Sequence, residues 1–355
     1  MLFAYDQTAN ADNWLHDCMV DVLRSELAKI DQGLAPTKWP DVIPPTHRPR
    51  LRRRSSVRDR MAKFLTEYSA LSPDRRVDVR TAIVDQNRLG ELFRNEIDCP
   101  RQCDLPKSIR KPTEALFETL FGLLTDFGLR DTQYSVIYTS LNSRVCAFCG
   151  CEFFDPPALK RHDLDHYLAR SIYPFAASNL RNLAPMGDRC NKSYKGGQDM
   201  LRNDLGTRRK CSDPFVGPVA SISLRDSVPF ARNNGRLPRW EIALLDDCEE
   251  LQTWDAVFSI RARYAKAVLD PEYSGWLDEF ARWCASPLVP TQSSEPVQKL
   301  LDLYLAHCVP EGLSDRAFLR RAAFEMLRDK CDDADVGPDV VAHLRDVVSL
   351  YATGT

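Results

Sequence analysis

The sequence predicts a mainly α-helical protein with a small α+β insert, and three observations lead there. Apolar residues recur at helical spacing toward both ends of the chain. Strand-like alternation is confined to short stretches after the middle. Between residues 146 and 195, cysteine, histidine, aspartate and asparagine gather in one segment that has little helical periodicity. Three regions follow: a helical one over 1–140, a chemistry-bearing core over 141–212, and a mixed, then helical one over 213–355.

The first 35 residues carry Trp14, Met19, Val22, Leu23, Leu27 and Ile30 near helix spacing. A proline-rich break over 36–49 leads into the basic run Arg48, Arg50, Arg52, Arg53, Arg54, Arg58 and Arg60, either a solvated linker and helix start or a phosphate-contacting arm. Leu116, Leu120, Leu123, Leu124 and Phe127 predict a helix from about Thr113 to Phe127, with Thr113 as N-cap and Gly128 at the C′ position. A further helical or mixed segment, 134–141, delivers the chain to the first cysteines. Residues 205–247 read as irregular and strand-like, with alternation over Val219–Leu224. From Trp254 helices return, marked by Trp276, Phe280 and Trp283, by Leu300, Leu301 and Tyr304, by Phe318 to Leu327 with Ser314 as its cap, and by Val340 to Val348.

Composition narrows the function classes. With 44% hydrophobic and 28% charged residues, the 355-residue chain has the balance of an ordinary globular protein. No run approaches the roughly 20 apolar residues of a membrane span, and the start lacks the order of a secretory signal, so a cytoplasmic location is expected. The net charge of -2 does not announce a nucleic-acid binder, yet residues 140–212 hold 12 Lys or Arg against 7 Asp or Glu. Phosphate contact is thereby expected in one place only. The 12 cysteines lie in a chain too long to need disulfide staples, and Cys18, Cys248, Cys284, Cys308 and Cys331 read as small core residues. Cys99 and Cys103 are too loosely spaced to bind metal without a partner pair.

Three groups within fifty residues carry chemistry. Cys146 and Cys149 form a C-x-x-C turn, which can bring two thiolates to one zinc. Asp165-His166 sets a hard oxygen ligand beside a general-base candidate, and on a strand the two side chains diverge. Asn182-Leu-Ala-Pro is followed by Cys190-Asn191-Lys192, where Asn191 offers an amide oxygen suited to Mg²⁺ and Cys190 a third sulfur. His16, His47, His307 and His343 lie outside any such group and read as structural.

The stretch D-H-Y-L, then N-L-x-P and C-N-K behind a leading C-x-x-C, resembles the HNH (ββα-metal) endonuclease family. His166 to Asn182 is 16 positions and Asn182 to Asn191 is 9, which fits that motif. The resemblance covers a seventh of the chain. It implies a β-hairpin followed by a helix, with Asp165 and Asn191 as ligands of Mg²⁺, Mn²⁺ or a similar ion. His166 would then be the general base, and Asn182 would orient it by hydrogen bonding. Lys195 stands where some members place a metal-binding histidine; a charged Lys cannot serve as a ligand, so phosphate contact is expected of it. Arg170, Lys192 and the cluster Arg208, Arg209 and Lys210 are the other phosphate-contact candidates, and Arg161, Arg181 and Arg189 also flank the motif. Members with four cysteines usually show a second C-x-x-C, whereas here Gly187-Asp-Arg-Cys190 stands in its place. The structural zinc therefore needs a fourth ligand from Cys151, His162 or Cys211.

The expected substrate is nucleic acid, double-stranded DNA first, with no membrane partner. In outline, nucleases with helical flanks resemble effectors of bacterial defence against phage that work beside an ATPase; the flanks would meet such a partner, the substrate or a second copy. The rival readings are a nucleic-acid-binding module, or a zinc-stabilised interaction scaffold, that keeps the ββα fold without catalysis.

Overall fold

The computed structural model describes residues 1–159, 162–232, 237–286 and 296–352; Arg161 lies outside them. Helices α1 (Trp14–Asp31), α2 (Arg48–Leu51), α3 (Ser55–Ser69), α4 (Pro73–Asp85), α5 (Leu89–Phe93), α6 (Lys107–Asp126) and α7 (Leu129–Ser140) precede the motif segment. That segment contributes β1 (Leu164–His166), β2 (Leu183–Pro185) and a π-helical turn, Arg189–Lys195. Four short strands follow: β3 (Ser221–Ser223), β4 (Val228–Arg232), β5 (Leu237–Arg239) and β6 (Ala243–Leu245). The chain then returns to helix with α8 (Glu249–Phe258), α9 (Ile260–Arg263), a π-helical turn Tyr264–Leu269, α10 (Asp270–Cys284), α11 (Val297–His307), α12 (Ala317–Cys331) and α13 (Gly337–Ala352). The molecule is mainly helical, and its small sheets are all antiparallel pairs: β1 with β2, β3 with β6, and β4 with β5. Among the described residues no helix is long and apolar enough to cross a membrane.

Helix α6 differs from the expected span. Its apolar stripe extends back to the fully buried Ile109, one heptad before Leu116, so the helix starts at Lys107 and carries Pro112 inside it. Thr113 is not a cap; its hydroxyl donates to the Ile109 carbonyl one turn back, at 2.8 Å. Gly128 does sit just past the end in the left-handed region (φ 71°), where a residue without Cβ costs least, and α7 starts directly after it. Ser314 is not the cap of α12 either. Its hydroxyl lies 3.2 Å from that of Ser143, and Arg316 (φ 59°) precedes the helix.

One contiguous apolar core draws on both helical ends and on the middle segment. Helix α3 packs along α6, and α1 rests on α3 and α4. On the other side α10, α12 and α13 pack together, and α8 lies against the Arg189–Lys195 turn. The motif segment is thus held between two helical groups, and side chains from both reach into it.

Candidate metal and catalytic site

Strands β1 and β2 set Asp165 opposite Ala184 and His166 opposite Leu183. As neighbours on a strand, Asp165 and His166 point to opposite faces. The His166 ring meets Phe121 of α6, with ring centroids 4.4 Å apart. Its Nε2 lies 2.9 Å from the Ala177 carbonyl. A carbonyl only accepts, so Nε2 carries the proton and Nδ1 keeps the lone pair. Burial pushes the imidazole pKa down to about 3, with Arg170, Lys195 and Arg130 adding to the shift against the opposing Ala177 bond. His166 is therefore neutral near pH 7.

Asn182 is fully buried and does not act on His166 by a direct bond, as the resemblance implied. Its Oδ1 accepts the Leu168 N–H (2.7 Å), and its Nδ2 donates to the carbonyls of Leu168 (3.0 Å) and Ala176 (3.2 Å). These bonds pin both ends of the loop between β1 and β2, and the residue after Ala176 supplies the carbonyl that holds His166. The same loop is anchored from the N-terminal helices. Gln133 donates to the Leu180 and Leu183 carbonyls, the Asn13 side chain accepts the Leu180 N–H, and His16 Nδ1 meets the Ser178 hydroxyl at 2.9 Å.

Asp165 faces the other way, and its Oδ2 lies 2.7 Å from Lys195 Nζ. The Lys195 side chain is only 1% exposed and paired with Asp165, so it is an internal counter-ion rather than the free phosphate contact expected. The pair is close but poorly aligned, since Oδ2 has no regular hydrogen-bond partner. Burial raises the Asp165 pKa, and Lys195 partly opposes it. Asn191 stands four residues before Lys195 in the same helical turn, whose backbone bonds run from Gly187 O to Asn191 N–H and from Asn191 O to Gly196 N–H. Asn191 is half-buried, whereas Lys195 is fully enclosed.

The cysteines form a second centre. The sulfurs of Cys146, Cys149 and Cys190 all lie within 4.8 Å of one another and are buried, a group that could hold a metal ion such as zinc. The turn between the first two is closed by the Gly150 N–H donating to the Cys146 carbonyl at 2.7 Å, and the Gly187 N–H points at Cys146 Sγ (3.3 Å). Its backbone is held from both ends of the chain. Tyr5 accepts the Ala147 N–H and donates to Pro185 O, Trp254 donates to Phe148 O, and Tyr264 donates to Cys149 O. Of the three candidates for a fourth ligand, His162 sits by Phe154 and Asp155, while Cys211 lies against Tyr167 with its backbone bonded to Phe93. Cys151 alone adjoins the group, its thiol donating to the Cys149 carbonyl at 3.1 Å.

The basic candidates divide. Arg208 spends its guanidinium on the carbonyls of Leu92, Ile97 and Leu201, and Arg209 on those of Asp199 and Met200, so both are structural clamps and not a free phosphate cluster. Arg170 and Lys192 are exposed, in surface ion pairs with Glu118 and Asp188. Lys210 is half-buried, and its backbone N–H donates to Glu249. In the N-terminal run, Arg48, Arg54 and Arg60 bond Ile43 O, Asp126 and Ala115 O, and Arg50 lies over the Trp14 ring.

Several residues that build the site had no signal in the sequence. Tyr5, Gln133 and Tyr264 belong to no local pattern, and Tyr5 and Pro185 are 180 positions apart. No family model, no curated protein and no solved structure matches the chain.

Proposed function

We propose that β1, β2 and the Arg189–Lys195 turn form the ββα-metal centre of an HNH endonuclease that hydrolyses phosphodiester bonds in DNA. The observation that carries the reading is the bond from His166 Nε2 to the Ala177 carbonyl, which leaves Nδ1 as the basic nitrogen of a neutral imidazole. Nδ1 accepts the proton of the attacking water as the new P–O bond forms and the bond to the leaving oxygen breaks. Burial lowers the imidazole's basicity, and an arriving phosphate anion would offset this by favouring the imidazolium. Asn182 keeps the loop carbonyl in place, so the imidazole does not swing away from the water.

Asp165 and Asn191 would hold a divalent ion such as Mg²⁺ or Mn²⁺, both being hard oxygen donors. What supports this is the chemistry of the donors: Lys195 occupies Asp165 Oδ2, which leaves the other carboxylate oxygen for an ion. Such an ion supplies Lewis-acid stabilisation of charge on the phosphate oxygens.

The test is cleavage of supercoiled plasmid with Mg²⁺ or Mn²⁺, wild type against His166→Ala, with single-stranded RNA in parallel. Cleavage abolished by chelator and lowered on the order of 10²-fold or more in His166→Ala, with DNA binding kept, supports the reading. Equal cutting by both proteins overturns the assignment of His166. Binding of DNA without cutting by either protein favours a non-catalytic binding module.

A further inference from the structure

We propose that Cys151 is the fourth ligand of one zinc ion held by Cys146, Cys149 and Cys190, and that Arg263 is the cation balancing the sulfur charge. The inference does not depend on the nuclease reading. Zinc in a structural site takes four ligands in a tetrahedron. Three sulfurs already meet within 4.8 Å, and the other two candidates, His162 and Cys211, lie among different neighbours. Cys151 follows Cys149 by two residues through Gly150, which has φ 65°. A Cβ on Gly150 would come within 2.5 Å of Leu2 Cδ1 and 3.0 Å of Phe318 Cε1, so the packed surroundings hold the bend that carries Cys151 back to the group. The Cys151 sulfur now bonds the Cys149 carbonyl at 3.1 Å and lies outside the group of three. Ligation would require this contact to be released by rotation about the Cα–Cβ bond.

The second observation is Arg263. Its side chain is 8% exposed, and its Nη1 lies 3.2 Å from Cys190 Sγ, closer than the 3.7 Å from Nη2 to Glu152 Oε1. It also stacks over the Tyr194 ring at 4.2 Å. A buried guanidinium needs an anion; Glu152 supplies one, and zinc-bound thiolates would supply a nearer one. Four thiolates around Zn²⁺ carry a charge of about −2. Glu152, whose Oε1 is 3.8 Å from Cys149 Sγ, adds to the negative side, so the cation at Cys190 has a clear electrostatic role.

X-ray absorption at the zinc edge of the wild-type protein tests the ligand set without a variant. One zinc per chain with four sulfurs at about 2.3 Å is expected. Three sulfurs and one nitrogen or oxygen, or no bound zinc, overturns the proposal. In cobalt-substituted protein, Cys151→Ser should lose about a quarter of the sulfur-to-metal charge-transfer intensity, one of four tetrahedral ligands. Cys211→Ser and His162→Gln should leave it intact, and an unchanged Cys151→Ser spectrum overturns the assignment. Arg263→Gln should keep four sulfurs but lower zinc affinity about 10-fold in competition with a chelator, a typical cost for a ligand's outer partner. Undiminished affinity overturns the role of Arg263.

Discussion

Lys195 Nζ and Asp165 Oδ2 meet 2.7 Å apart inside the protein, joining the Arg189–Lys195 turn to β1. The lysine side chain is 1% exposed and the aspartate 17%, so water screens the pair little. Removing one member strands the other's charge. Lys195→Met should destabilise the fold by about 3–5 kcal/mol in denaturant titration, and adding Asp165→Asn should recover much of that loss. Additive losses in the double variant would show that the two charges are not coupled.

Asn182 makes three buried hydrogen bonds across the β1–β2 loop. Asn182→Ala leaves the Leu168 N–H without its acceptor and should cost on the order of 3 kcal/mol. Asn182→Asp keeps the acceptor but cannot donate to Leu168 O or Ala176 O, so it should also weaken the His166–Ala177 contact. Nitrogen NMR of the His166 ring reads this directly: wild type should show the Nε2-protonated tautomer, and the variant a mixture. An unmoved tautomer would mean that Ala177 is held without Asn182.

His16 links stability to pH. Burial lowers its pKa from 6.5 to about 4, against the Asn87 bond, and its polar neighbours Ser178 and Asn87 are uncharged. The unfolded chain therefore takes up a proton near pH 6.5 while the folded one does not until about pH 4. Stability from this group is complete above pH 6.5 and falls as pH drops toward 4, by at most on the order of 3 kcal/mol. His16→Gln should flatten the slope in that window. An identical slope in wild type and variant would assign the pH dependence to other groups.

Arg208 and Arg170 should separate structure from phosphate contact. Arg208→Gln frees the Leu92, Ile97 and Leu201 carbonyls and should cost on the order of 2 kcal/mol of stability, without changing the salt dependence of DNA binding. Arg170 is half exposed and lies in the loop that holds His166. Arg170→Gln should leave stability near that of wild type and lower the salt slope by about one. The opposite pattern would return Arg208 to the phosphate-contacting set.

Much of the fold was legible because helix signals are local. The stripe from Leu116 to Leu124 and the left-handed Gly128 each depend on residues within a turn or two. The start of α6 differs for a physical reason: local spacing puts the cap at Thr113, but the fully buried Ile109 extends the apolar stripe and the helix back to Lys107. In the site, strand spacing set Asp165 and His166 apart, and the residue types marked Cys146, Cys149 and Cys190 as a group that could hold a metal.

Residue type and short-range spacing are enough to mark which side chains carry reactive chemistry and roughly where the helices run. Which polar groups are spent on neighbours depends on tertiary packing. Lys195 and Arg208 read alike as phosphate-contact candidates, yet one is buried on Asp165 and the other bonds three backbone carbonyls. Asn182 acts through a loop backbone rather than on His166, and Arg263 reaches Cys190 from 73 positions away. The physical reason is that burial and partner choice depend on which segments share the core, and no local pattern encodes a contact between distant parts of the chain.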